Sequence, residues 1–183
     1  MGKFAVIDTE TNWADQVMSI GTVIADADTF QPVEAKYHIL PVECQVGGMF
    51  ESTLFIETPV RPILCTRDEA IGDLRAWFRA HGVRSVFAYN ACFDRNHLPE
   101  LWDYDWHDIM RLAAYRQHNP KIPTCADCYS TGRLKRGYGV ESMLRLLLGD
   151  RTYHESHNAF FDALDELEII HLLSCRLTDY PPL

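Results

Sequence analysis

The sequence predicts an α/β fold in which a mixed sheet is flanked by helices. Three observations predict it. Three apolar, strand-like runs follow one another in the first 41 residues. From residue 66 onward, segments with helical apolar spacing alternate with short apolar runs. The 183 residues, 47% hydrophobic and 23% charged, have the composition of an ordinary globular protein, with room for one full core. Strands in series followed by alternating helices and strands make a sheet with antiparallel pairs first and parallel pairs after. No repeat, low-complexity stretch or linker divides the chain, so residues 1–183 are read as one domain.

The elements follow in order. Lys3 to Asp8 reads as a buried strand, Val17 to Ala25 as a second and Lys36 to Pro41 as a third. Gly47-Gly48 signals a turn, and Met49 to Ile56 reads as an apolar loop or a short strand. Thr66 to Glu69 has the form of a capping box, opening a helix that runs to about His81 with Ala70, Leu74, Trp77 and Phe78 on one face. Gly82 ends it. Ser85 to Tyr89 is a fourth strand, followed at once by a short helix from Phe93 to Leu98. Trp106 marks a fifth strand, and Asp108 is placed to cap a helix from Ile109 to Gln117. Val140 to Leu148 is a helix stopped by Gly149, and the last helix is expected from His157 to about Ser174.

The net charge of −9 and pI near 5.3 argue against a general basic surface for phosphate recognition. Carboxylates that recruit cations escape that argument locally, because the metal inverts the sign of the site. No apolar run is long enough to span a bilayer, so no membrane partner is expected. The N-terminus reads as a strand, not a signal peptide, and Val6 stands where a myristoylation motif wants Ser or Thr. Six scattered cysteines suit free thiols in a reducing compartment, and the expected location is cytoplasmic.

Each candidate catalytic residue has a plain structural reading when taken alone. Asp8 and Glu10, two apart at a strand end, point to the same side; close together and buried, they would repel unless a cation lies between them. Asp94 follows the fourth strand, in what would be the favourable first turn of a helix. His157 opens the last helix, and Asp162 lies about one and a half turns on, beside the apolar stripe of Phe160, Ala163, Leu164, Leu167 and Ile170. Asp165, Glu166 and Glu168 read as surface charges.

Together these pieces form a recognisable series. Ile7-Asp8-Thr9-Glu10-Thr11, then Phe87 through Asp94, then His157-Asn158-Ala159-Phe160-Phe161-Asp162-Ala163 resemble, in order, the three motifs of the DEDDh 3′–5′ exonuclease family. A sister group carries Tyr where this chain has Asn158, so the His version fits. The resemblance covers nearly the whole chain and implies a ribonuclease-H-like fold. It also implies a two-metal mechanism, with two cations roughly 3.5–4 Å apart on the scissile phosphate. By the family pattern Asp8 bridges the metals, Glu10 and Asp162 complete the site on the nucleophile side, and Asp94 supports the other ion. All-carboxylate ligation implies Mg²⁺ or Mn²⁺, two per site. His157 takes the proton from the attacking water, a task suited to an imidazole with an ordinary pKa of about 6.5. The main-chain amides from Thr9 to Thr11 would hold the 3′ end, and Asn90 and Phe93 are further substrate contacts. The implied partner is a nucleic acid with a free 3′ end, single-stranded or frayed.

Three signals lie outside those motifs. Cys125-Ala126-Asp127-Cys128 is a C-x-x-C in a loop rich in turn residues; zinc would need two more ligands, of which His118 is the nearest candidate, so a metal-free loop is expected. Arg133, Lys135 and Arg136 form the densest basic cluster and are expected to contact the nucleic-acid backbone. Met49, Phe50 and Leu54 are expected in the core in preference to a wedge against the terminal base. No polymerase-binding tail is apparent after the last helix, which favours a stand-alone enzyme over a polymerase partner. The competing reading is a catalytically silent binding or accessory module of the same fold, against which the retention of all five reactive positions argues.

Overall fold

Six strands pair into one mixed sheet in the computed structural model, which describes residues 2–183; Met1 lies outside them. The strands are β1 (Lys3–Thr11), β2 (Val17–Asp26), β3 (Pro32–Ile39), β4 (Ile63–Leu64), β5 (Ser85–Ala88) and β6 (Asp105–Asp108), in the spatial order β4-β3-β2-β1-β5-β6. β1–β2 and β2–β3 are antiparallel, as runs joined by short turns must be, while β5 and β6 join parallel to β1. This is the mixed sheet expected from the order of elements.

The helices are α1 (Pro41–Cys44), α2 (Arg67–His81), α3 (Cys92–His97), α4 (Met110–Ala113), α5 (Val140–Leu148) and α6 (Ala159–Leu173). Strand alternation divides the core between the two faces of the sheet. Phe4, Val6, Val23 and Phe87 pack with Met143, Leu144, Ala163 and Leu167 of α5 and α6. Ala5, Ile7, Ile24 and Val86 pack with Leu74, Trp77 and Phe78 of α2. The Thr66 capping box is present, with the Thr66 amide donating to Glu69 at 2.9 Å, and Gly82 ends α2 in the left-handed region at φ 68°.

Four expectations need correction. The third strand runs from Pro32 to Ile39, not Lys36 to Pro41: Pro41 has no N–H for a ladder and instead opens α1. The helix expected from Ile109 to Gln117 is a single turn. Asp108 does accept from the Met110 amide at 3.0 Å, but the Asn119 side chain takes the Ala113 carbonyl at 2.7 Å and the Leu134 amide takes that of Ala114 at 2.9 Å, so the ladder stops. The last helix begins at Ala159. Asn158 is its N-cap, accepting from the Phe160 amide at 3.1 Å, while His157 sits outside at φ 51°. Finally, Glu166 is 1% exposed and is not a surface charge.

Candidate active site

The alternation of β1 decides where the site forms. Phe4 and Val6 face the α5–α6 side, so Asp8 and Glu10 continue on that face, toward α6. β5 runs parallel to β1 and ends nearby, and the chain leaving it turns into α3, whose first turn carries Asp94. The crevice beyond the carboxyl ends of parallel strands is where α/β sheets build sites. The Thr9 hydroxyl donates to Asp94 at 2.8 Å and ties the two segments together. α6 brings Asp162 in from above, with its amide bonded to the Asn158 carbonyl at 2.9 Å.

All five predicted residues line one cavity of about 350 Å³, together with Thr9, Thr11, Asn90 and Phe93. Asp8, Glu10 and Asp162 each bring an oxygen to within 4.8 Å of the others, and Glu155, His157 and Asp162 form a second such group. A neighbouring cleft of about 510 Å³ shares Phe93 with this one but contains none of the five. Arg133, Lys135 and Arg136 do not line the cavity; they lie on the 115–139 loop beside it. Cys128 Sγ accepts from Arg116 at 3.2 Å, and Cys125 is exposed.

His157 is held by its neighbours. Phe50 stacks on the imidazole with centroids 4.2 Å apart and planes 19° from parallel, and the Thr53 hydroxyl donates to the His157 carbonyl. Asn158, fully buried, donates to Tyr37 at 3.0 Å and to the Thr53 carbonyl at 2.8 Å. The Met49–Leu54 expectation is therefore half corrected. Leu54 is core, but Met49 and Phe50 line the site because the short 3-10 turn at Glu51–Thr53 aims them outward, against His157. Trp13, 68% exposed, also lines the cavity, its amide donating to the Gly47 carbonyl at 2.9 Å.

Sequence reading also missed Glu155 and Glu166. Glu166 lies one turn beyond Asp162 on α6, and that spacing was the available signal. Its Oε2 and Asp162 Oδ1 are buried without a hydrogen-bond partner. Among the described residues, no lysine or arginine is ion-paired with Asp8, Glu10, Asp94, Asp162 or Glu166. No lysine or arginine therefore offsets burial, and the Thr9 hydrogen bond to Asp94 opposes it only in part. Burial pushes Asp8 well above the carboxylate range, and Asp94, Glu166, Asp162 and Glu10 push further. Burial, with Glu155 and Asp94, raises Glu10 to about 8. Asp94, Asp162 and Glu166 are raised too, in each case chiefly by burial. A buried, oxygen-only, uncompensated donor set of this kind fits hard divalent cations.

A stability prediction follows from these shifts. Carboxylates whose folded pKa is raised bind more protons in the folded state than in the unfolded one. Stability of the metal-free protein therefore falls as pH rises from the ordinary carboxylate range, about 4, to about 8, where Glu10 ionises. In EDTA, the melting temperature is expected to be lower at pH 8.5 than at pH 6, and added Mg²⁺ should close the gap. A flat profile in EDTA would show that the cluster is not strained by charge.

No family model matches the sequence, and no curated protein matches it as a relative. The fold does match solved structures. Exonuclease I of E. coli in complex with a dT13 oligonucleotide superposes over 98% of this chain with a TM-score of 0.62 and 13% identity. A moderately thermophilic exonuclease I from Methylocaldum szegediense matches over 97%, with a TM-score of 0.59 and 16% identity. This chain spans 42% and 41% of the length of those two. The nuclease domain of 3′hExo, a DEDDh family member bound to rAMP, matches over 99% of this chain and 96% of its own, with a TM-score of 0.67 and 12% identity. The chain thus has the ribonuclease-H-like α/β fold of these exonucleases.

Proposed function

We propose that this chain is a metal-dependent 3′–5′ exonuclease that acts on the 3′ end of single-stranded or frayed DNA or RNA and releases nucleoside 5′-monophosphates. One observation carries the reading: Asp8, Glu10, Asp94, Asp162 and His157 line one cleft, in a fold shared with a DEDDh nuclease domain. That nuclease domain is bound to rAMP, and E. coli exonuclease I is seen with a DNA oligonucleotide, which supports a cleft sized for a terminal nucleotide of either sugar. A location in the cytoplasm belongs to the same proposal, as does the reading of the chain as one exonuclease domain.

Asp8, Glu10 and Asp162 would hold the ions, with Asp94 supporting them from α3. Mg²⁺ or Mn²⁺ there supplies positive charge to the scissile phosphate. His157, with Phe50 fixing the plane of its ring, accepts the proton of the attacking water. The water oxygen bonds to phosphorus, the P–O3′ bond breaks, and the penultimate nucleotide leaves with its O3′ taking a proton from solvent to become a free 3′ hydroxyl. The Thr9 hydroxyl is committed to Asp94, so the Thr9–Thr11 segment would meet the 3′ end through its main-chain amides. Asn90 faces the cleft beside Phe93, whose ring is 40% exposed and available to the terminal base.

End-labelled single- and double-stranded DNA and RNA, digested with Mn²⁺ present, test the reading. Shortening from the 3′ end is expected; no cleavage of any substrate would return the chain to the silent-module reading. His157→Ala is expected to slow turnover by about 10²–10⁴-fold, the usual contribution of a general base. Its metal affinity, measured by calorimetry, should stay close to wild type. Loss of both would make His157 structural.

A further inference from the structure

A cleft built of carboxylates handles one phosphate but repels the rest of a polyanion. The segment 115–139 has the opposite character. It carries five of the chain's 17 Lys and Arg residues and one of its 26 Asp and Glu residues. That one acid, Asp127, is paired with Lys135 at 2.9 Å. Arg133 lies between two tyrosine rings, its guanidinium 5.1 Å from the Tyr129 centroid and 5.2 Å from that of Tyr138. Among the described residues it pairs with no carboxylate. Both rings are open to solvent, Tyr129 at 48% and Tyr138 at 37%.

The segment is anchored, and it lies beside the cleft. Ile122 and Leu134 are buried in the α5–α6 core, and Leu134 bonds back to Ala114. The Tyr138 carbonyl accepts from the hydroxyl of Tyr89, which lines the carboxylate cavity. Three residues after Tyr138, the Glu141 carboxylate accepts from the amide of Glu155, on the same cavity wall, at 3.2 Å.

We propose that Tyr129, Arg133 and Tyr138 form a platform for single-stranded nucleic acid, on which nucleotides 5′ of the terminal one stack as the strand leaves the cleft. This rests on the nuclease reading of the cavity. Exposed tyrosine rings stack on any base, and a guanidinium that contacts both rings without a carboxylate partner leaves its N–H groups for phosphate. The unpaired strand is the occupant because a duplex keeps its base faces stacked and out of reach.

The test compares dinucleotides with octanucleotides, by kcat/KM with Mn²⁺ and by fluorescence anisotropy with Ca²⁺. Wild type is expected to favour the octanucleotide by about ten-fold or more, the scale of one stacked base. The Tyr129→Leu/Tyr138→Leu double variant should lose that advantage, and Phe at both positions should restore it. Arg133→Gln should lower the salt dependence of octanucleotide binding by about one phosphate contact. An octanucleotide advantage that is absent in wild type, or retained in the double-Leu variant, overturns the platform. Length-dependent binding without cleavage leaves the platform standing and sinks the nuclease reading, so the two failures are distinguishable.

Discussion

Asp8→Asn is expected to abolish cleavage and, at the same time, to stabilise the metal-free protein. Asp8 sits in β1 at the centre of the sheet, with Glu10 and Asp162 oxygens within 4.8 Å and further repulsion from Asp94 and Glu166. If it holds cations against the scissile phosphate, its loss removes charge stabilisation from the transition state. Removing a single such contact elsewhere costs about 10²–10³-fold, and a residue shared between ions should cost at least that. Without metal the same carboxylate is a liability: it is half-buried and largely desolvated, raised by four acidic neighbours and free of any basic partner. Asn keeps the shape and removes the charge, so the melting temperature in EDTA should rise by about 2–4 °C for each kcal/mol of relieved repulsion. Opposite signs for activity and stability are the signature of a site kept strained for function. An Asp8→Asn protein that still degrades oligonucleotides at the wild-type rate would remove Asp8 from the mechanism. One that melts lower in EDTA would show that Asp8 is a structural hydrogen-bonding residue.

What could be read from the sequence was what local patterns encode. The Thr66–Glu69 box, the Gly82 and Gly149 stops and the first strand, with Asp8 and Glu10 at its end, all stand where spacing placed them. The features that could not be read are set by contacts distant in sequence. Residues 109–117 have helical character, but the Asn119 side chain and the Leu134 amide claim the carbonyls that would propagate the helix. β4 is two exposed residues long and carries no alternation to detect. Glu166 was read as a surface charge because charged residues beside an apolar stripe usually face water. Its burial follows from α6 packing across β1 and β2. Phe50 belongs to a loop whose apolar residues split between core and cleft, a division set by the 3-10 turn and invisible to composition.

Gly21→Ala is expected to be the most disruptive single-methyl substitution near the site. Gly21 lies in β2 directly opposite Asp8, where the N-terminus of α6 crosses the sheet. A Cβ there would fall 1.8 Å from the Ala159 carbonyl oxygen, 2.1 Å from its carbon and 2.5 Å from the Phe160 nitrogen. All three are backbone atoms, so no side chain can rotate away, and the helix itself must lift. Overpacking ordinarily costs about 1–3 kcal/mol. Displacing a helix terminus belongs at or above the top of that range, which lowers the melting temperature by roughly 6–12 °C at 2–4 °C per kcal/mol. The catalytic cost should be larger still, because α6 carries Asp162 in its first turn and His157 just precedes its cap. A displacement of about 1 Å in a catalytic constellation is enough for ~10²-fold in rate. Thermal melts and kcat measured well below the melting temperature separate the two losses. Gly72→Ala is the control: it lies inside α2 with nothing within 4 Å of the added carbon, and should stabilise by about 0.5–1 kcal/mol. If Gly21→Ala melts within a degree of wild type and keeps its rate, α6 does not owe its position to contact with the sheet at Gly21, and the placement of His157 and Asp162 must be determined elsewhere, by the Asn158 and Thr53 hydrogen bonds.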